Sequence, residues 1–70
     1  MKRKQIQSTC VKSYGYDADQ RLFEIEYPSG EIYDYLNVPR SVHREFLRSD
    51  SKGEFVNIKI KQFPFKKISE

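Results

Sequence analysis

The sequence contains very few of the residues that build disulfides and metal sites. Cys10 is its one cysteine and His43 its one histidine, among 70 residues. A lone cysteine excludes an internal disulfide, and small secreted domains usually carry several, so we expect a reducing compartment, the cytoplasm. A lone histidine excludes a multi-histidine metal site and any Ser-His triad that does not use it.

Long apolar runs are also missing. The basic start at residues 1–7 lacks the apolar segment of a signal peptide, and nothing in the chain is long and apolar enough to span a membrane. Asp17 and Asp19 resemble the start of a calcium loop, but the required Gly and terminal Glu are missing. We therefore expect no membrane segment, no metal, no cofactor and no enzymatic activity.

Length and composition favour a small binding module. A chain of 70 residues and 8.4 kDa has room for one small core. Charged residues make up 33% of it, but the 14% of aromatic residues argues for a packed core rather than disorder. We predict a flexible basic segment over 1–7 and a single monomeric domain over 8–68.

Charge is distributed unevenly along the chain. Residues 1–12 carry a net charge of +4, residues 13–39 carry −5 and residues 40–70 carry +4. If folding brings the two basic ends together, they form a face that attracts polyanions. The alternative is that these cations only solvate the surface.

The first half of the chain has the pattern of antiparallel strands. Residues 9–16 are rich in strand-forming residues, 17–20 predict a turn, and 22–27 alternate between apolar and polar. Pro28-Ser29-Gly30 fits a three-residue hairpin loop with a left-handed glycine, which pairs Tyr27 with Glu31. This register places Phe23, Ile25, Tyr27, Tyr33 and Tyr35 on one face and Glu24, Glu26 and Asp34 on the other.

The second half predicts helices. Pro39 precedes helical spacing over 40–49, with Val42, Phe46 and Leu47 facing the sheet and an arginine stripe along one side. Ser51 and Glu54 form a capping box that favours a second helix over 52–60, although the alternation in 56–60 is also typical of a strand. Pro64 limits the tail, residues 61–70, to an edge strand at most.

Several ordered segments together resemble the KTSC domain, a family named for its occurrence at the C-terminus of some lysyl-tRNA synthetases. The resemblance covers about residues 8–68. It implies a three-stranded antiparallel meander packed against one main helix and a second short helix, and a role in binding RNA. The segments that carry it are Tyr14-Gly15-Tyr16-Asp17; Leu22 to Tyr27 with Ser29-Gly30; Tyr33-Asp34-Tyr35 with Val38-Pro39; and Ser51-Lys52-Gly53 followed by Phe55, Asn57 and Ile60.

Several individual residues have both a binding and a structural interpretation. Tyr33 and Tyr35 could stack nucleobases, but a core this small favours them as core residues. We interpret His43 as an exposed helix residue and Cys10 as a buried or inert thiol. Ser51 and Gly53, with Lys52, are candidates for phosphate contact at a helix start, but capping and tight backbone packing also explain them.

Two functional hypotheses follow. The first is binding of RNA or another nucleic acid through cations that contact phosphates without reading sequence. The second is a protein-interaction module that uses the acidic sheet face or an exposed strand edge. The principal cations of the first hypothesis are Arg40, Arg44, Arg48, Lys52, Lys59 and Lys61, supported by Lys2, Arg3 and Lys4.

Overall fold

An antiparallel sheet of five strands forms one layer of the computed structural model, which describes residues 1–68. Each of the first four strands pairs with the next one in the chain, and the last strand returns after the helices to pair with the fourth. The strands are β1 Lys4–Gln5, β2 Ser13–Asp17, β3 Leu22–Glu26, β4 Ile32–Tyr35 and β5 Phe65–Lys67.

The hairpin between β3 and β4 confirms the predicted register. Ile25 pairs with Tyr33, and the Tyr27 N–H donates to the Glu31 carbonyl at 2.9 Å. Gly30 has a φ of +93°, a conformation that glycine adopts without the strain a side chain causes. The turn residues therefore decide which side chains lie on each face of the sheet.

The expectation of three strands is wrong, because the sheet has five. The two additional strands lie at its edges and have only two and three residues. Strands this short show no alternation to detect, and their side chains are exposed. The flexibility expected of residues 1–7 concerns motion and stays a prediction, while the structure pairs Lys4–Gln5 with β2.

The two helices are α1, Arg40–Arg48, and α2, Lys52–Ile58. The Glu54 N–H donates to the Ser51 hydroxyl at 3.4 Å, so Ser51 caps α2 as predicted. The Ser51 N–H donates to the Ser49 hydroxyl at 3.2 Å rather than to Glu54, so only this half of the predicted capping box forms. The predicted helix over 52–60 is confirmed as far as Ile58, and a 3₁₀ turn, Ile60–Gln62, follows. The capping hydrogen bond is local and forms here despite the strand-like alternation of 56–60.

The helices cover the face of the sheet that carries the aromatic residues. Phe46 of α1 is fully buried, and its ring centroid lies 4.7 Å from that of Tyr14 and 5.0 Å from that of Phe23. Leu47, which we expected to join it, is 48% exposed. The buried apolar residues are Val11, Tyr14, Phe23, Ile25, Tyr35, Val38, Phe46, Val56 and Ile60.

Candidate nucleic-acid interface

Two stacked rings join the sheet to α1 at the β2 side of the molecule. The rings of Tyr16 and His43 lie 4.3 Å apart at 22°, and the Tyr16 hydroxyl donates to the Val38 carbonyl at 2.7 Å. Burial, and then the charge of Lys4, lower the pKa of His43 below its usual 6.5. The imidazole is therefore neutral at pH 7, and the pair is an uncharged, half-buried stack.

Cations surround this stack. Burial raises the pKa of the Tyr16 hydroxyl, but Arg21, Arg40 and Arg44 lie close enough for their charges to oppose that rise. Lys2 and Lys4 line a depression of about 200 Å³ over Tyr16 and His43. We call the surface formed by Lys2, Lys4, Arg21, Arg40 and Arg44 around the stack the Tyr16 face.

The charges of the Tyr16 face are not neutralised by ion pairs. All five cationic side chains belong to exposed residues. The ion pairs formed within residues 1–68 involve Arg3, Lys12 and Lys67, and none of the five cations. Asp17 is the carboxylate that lies close enough to Tyr16 for its charge to raise the pKa of the hydroxyl. The face is thus a net positive surface with an aromatic centre.

Only part of the predicted arginine stripe, which consists of Arg40, Arg44 and Arg48, belongs to the Tyr16 face. Arg40 and Arg44 belong to it, whereas Arg48 lies exposed in the last turn of α1. Lys52 is instead held by the end of that helix, because its ammonium donates to the Leu47 carbonyl at 3.4 Å and to the Ser49 carbonyl at 3.0 Å.

The last two predicted cations belong to other parts of the surface. Lys59 is an exposed residue that follows α2. The Lys61 ammonium lies 5.3 Å from the centroid of the Tyr27 ring, near the β3–β4 hairpin. The predicted cations therefore do not converge into a single patch.

The phosphate-contact candidates Ser51 and Gly53 have clear structural roles. The Ser51 hydroxyl caps α2, and the buried Gly53 faces the loop before β2. A Cβ on Gly53 would lie 2.5 Å from the Ser8 hydroxyl oxygen and 3.1 Å from the Cys10 Cβ. Cys10 itself is a free and exposed thiol rather than a buried one. Phosphate contact at this segment stays a prediction.

The acidic residues lie on the opposite face of the sheet and are largely paired. The Arg3 guanidinium lies 2.7 Å from a carboxylate oxygen of Glu24, whose side chain is 8% exposed. Ser13 donates to Glu26 at 2.7 Å, and this hydrogen bond is the main cause of a lowered Glu26 pKa, ahead of nearby Lys12 and Arg3. Arg3 therefore serves this acidic face and not the Tyr16 face.

Sequence reasoning missed the centre of the Tyr16 face. Arg21 and Tyr16 were not candidates, and His43 is half-buried and stacked rather than fully exposed. One signal was present, since Tyr14 and Tyr16 alternate around Gly15 and so point to the same side of β2. Their meeting with α1 depends on how the helix crosses the sheet, which no local pattern shows.

The fold and its one-sided helical cover define a small α+β domain, and the comparisons identify the family. The model of the KTSC domain family matches residues 7–63, and the chain belongs to this family. The crystal structure of a KTSC domain protein from Yersinia pestis superposes with a TM-score of 0.90, at 38% identity and 97% coverage of both chains.

Similar sequences occur both in a small protein and inside a much larger enzyme. An uncharacterized protein of Stutzerimonas stutzeri is 42% identical over 57 residues, which is 81% of this chain and 80% of that protein. A lysine–tRNA ligase of Nostoc sp. is 33% identical over 64 residues, which is 90% of this chain but 11% of the ligase. The chain is thus similar both to most of a small protein and to a short part of a much longer one.

The described part of the chain also bears on membrane-spanning segments and metal sites. No helix among them is long and apolar enough to cross a membrane. Within the same range, His, Cys, Asp and Glu side chains form no group of three or more that could hold a metal ion.

Proposed function

We propose that this domain is a non-enzymatic module that binds RNA or another nucleic acid through the Tyr16 face. The observation that carries the proposal is the gathering of five exposed cations, free of ion pairs within residues 1–68, around the Tyr16–His43 stack. Phosphate groups would contact the cations and release bound counterions, which drives binding without reading sequence.

The neutral stack gives the face a second means of recognition. Tyr16 and His43 are both half-buried, so part of the stack is open to an unpaired base, and His43 carries no charge at pH 7. Base–aromatic contacts tolerate every sequence, since each base has a π-face. The combination favours single-stranded nucleic acid over a regular duplex.

The similarity to lysine–tRNA ligases supports this proposal. Their name states that they act on a tRNA, and a module within such an enzyme would be placed near nucleic acid. The acidic face is a weaker docking site for a protein partner, because Arg3 and Lys12 already pair with Glu24 and Glu26.

Arg44→Glu tests the proposal, with Arg48→Glu as the matched control. Both residues are exposed on α1, but only Arg44 lies beside Tyr16. We expect Arg44→Glu to weaken binding of a fluorescent single-stranded RNA by about tenfold at low salt, and Arg48→Glu to weaken it much less. Fluorescence anisotropy measures both affinities.

The salt dependence of the RNA affinity provides the second test. Five phosphate contacts to a single strand predict a slope of up to about −3.5 in log affinity against log salt, or about a hundredfold loss between about 50 and about 200 mM. Absence of binding at about 50 mM salt, or equal weakening by the two substitutions, would show the proposal to be wrong.

A further inference from the structure

A second concave site lies at the other side of the molecule and shares no residue with the Tyr16 face. Its walls come from the β3–β4 hairpin, the 3₁₀ turn and β5, and they border an open cavity of about 480 Å³. This volume lies in the range of small-molecule sites. The residues used in the argument below are Tyr27, Glu31, Tyr33, Tyr35, Lys61 and Phe65, and we call this site the hairpin cavity.

Aromatic rings form most of its wall. Tyr33 lies 5.4 Å from Phe65 and 6.2 Å from Tyr35, centroid to centroid. Tyr35 is 3% exposed and belongs to the core, as expected, whereas Phe65 is 59% exposed and Tyr33 is half-buried. Two neighbouring rings thus present free surface on which a flat ligand can stack.

A pair of hydroxyl groups gives the cavity a hydrogen-bonding point. The hydroxyl oxygens of Tyr27 and Tyr35 lie 2.6 Å apart. Burial is the main cause of a raised pKa for both groups, so each keeps its proton at neutral pH. One of the two hydroxyl protons lies between the oxygens, and the second, which this bond does not use, is the donor that a carbonyl or ring nitrogen of a ligand would accept from.

The charges at the rim favour an anionic ligand. The Lys61 ammonium lies 5.3 Å above the Tyr27 ring and pairs with no carboxylate within residues 1–68. Glu31, the carboxylate in the wall, is already bound by Lys67 at 2.8 Å. The free charge at the cavity is therefore positive.

We propose that the hairpin cavity binds one nucleotide, with the base on Tyr33 and Phe65 and the phosphate at Lys61. A nucleobase is a flat ring whose edge carries the acceptors that the Tyr27–Tyr35 pair needs, and its phosphate matches Lys61. The nucleotide is either free or an unstacked unit of a strand. This inference goes beyond the proposed function, because it does not require the Tyr16 face.

NMR titration of the labelled protein tests this site with four probes that separate the parts of the ligand. AMP carries base and phosphate, adenosine lacks the phosphate, and ribose 5-phosphate lacks the base. We expect AMP to saturate in the millimolar range, with shifts at the amides of Tyr33, Lys61 and Phe65, and the two partial ligands to bind at least about fivefold more weakly. N-acetyltyrosine, a flat ring with a carboxylate, is the fourth probe.

Variants link the binding to the cavity. Phe65→Ser removes an exposed ring, and we expect it to weaken AMP binding by about tenfold. Lys61→Gln should weaken AMP about fivefold but leave adenosine unchanged, and Lys59→Gln is its exposed control with no expected effect. Because Phe65 and Lys61 are exposed, both variants should stay folded, and their NMR spectra should keep the chemical-shift dispersion of the unmodified protein.

The outcomes separate this site from the proposed function. Arg44→Glu should leave AMP binding unchanged while it weakens the binding of an adenosine strand of about eight nucleotides, which carries the same base as AMP. If that strand binds the cavity and AMP does not, the nucleotide is recognised only within a strand; if AMP binds alone, free nucleotides are ligands too. Absence of shifts at the cavity with both, equal binding of ribose 5-phosphate and AMP, or tighter binding of N-acetyltyrosine than of AMP overturns the inference.

Discussion

The surroundings of Gly53 leave no space for a side chain. An added Cβ would lie 2.5 Å from the Ser8 hydroxyl oxygen and 3.1 Å from the Cys10 Cβ. Alanine favours a helix by up to about 1 kcal/mol, but overpacking costs about 1–3 kcal/mol, so the clash prevails. We expect Gly53→Ala to lower the free energy of unfolding by about 1 kcal/mol, measured by urea denaturation.

Ser8→Ala provides the control for this substitution. It removes the hydroxyl that a Cβ on Gly53 would meet, together with the hydrogen bond that this hydroxyl accepts from the Cys10 N–H at 3.1 Å. The double variant should lose less stability than the sum of the two single variants, because the close contact with Ser8 is gone. A stabilised Gly53→Ala protein would contradict the packing argument.

At the scale of elements, β1 depends on more than its two-residue ladder. Arg3, which precedes it, reaches across the sheet to Glu24, with 2.7 Å between guanidinium nitrogen and carboxylate oxygen. The Glu24 side chain is 8% exposed, so removing its partner leaves a buried charge. We expect Arg3→Met to lower the free energy of unfolding by about 1–3 kcal/mol, measured by urea denaturation, toward the lower end since Arg3 is partly exposed.

Two further variants show whether charge or packing is responsible. Lys4→Met makes the same change one residue later, at an exposed side chain without an ion pair within residues 1–68, and should change stability by less than about 0.5 kcal/mol. Glu24→Gln added to Arg3→Met removes the unpaired charge and should recover part of the loss. If it recovers none, the charge of Glu24 is not the cause.

Local chemistry explains which elements could be predicted from the sequence. The hairpin register follows from Pro28 and Gly30, and the start of α2 follows from the Ser51 cap. β1 was missed because two exposed residues carry no pattern. The Tyr16–His43 stack was missed because it joins two elements that are distant in sequence, and distances of that kind depend on core packing around Phe46.

At the scale of the whole molecule, folding redistributes the three blocks of charge in the sequence over three surfaces. The N-terminal block divides, with Lys2 and Lys4 on the Tyr16 face and Arg3 on the acidic face. The C-terminal block divides too, since Arg40 lies beside Tyr16 whereas Lys61 lies at the hairpin cavity. The Tyr16 face therefore carries fewer cations than the two basic blocks of the sequence contain, and it has an aromatic centre that a count of charges does not reveal.

The acidic face gives the whole domain a dependence on pH. Burial, then hydrogen bonding and repulsion from Glu24, raise the pKa of Asp34 from 3.8 to about 6, and Lys66 opposes this only in part. One oxygen of Asp34 is buried without a hydrogen-bond partner in residues 1–68. The folded protein thus binds a proton more tightly than the unfolded chain, and stability falls as pH rises from about 4 to about 6.

Glu26 and Glu31 act in the opposite direction. The Ser13 hydrogen bond lowers the pKa of Glu26, and Lys67 lowers that of Glu31, so their contribution is present above pH 4.5 and is lost as pH falls through their lower folded values. The Asp34 contribution falls from about pH 4 upward, and the glutamate contribution is complete above pH 4.5. These three groups together therefore predict a stability maximum between about pH 4 and about pH 4.5 rather than near neutrality. Urea denaturation at a series of pH values measures its position.

Asp34→Asn isolates the part of this profile that falls with rising pH. The substitution keeps the shape and removes the charge, so stability should no longer fall between about pH 4 and about pH 6, a gain of about 1 kcal/mol at pH 7 after allowance for screening by water at this partly exposed group. Asp19→Asn, at an exposed turn residue, makes the same charge change and should keep the wild-type slope. If both variants keep the slope, Asp34 does not hold its proton in the folded state, and the repulsion across β3 and β4 is relieved by Arg3 and Lys66 instead.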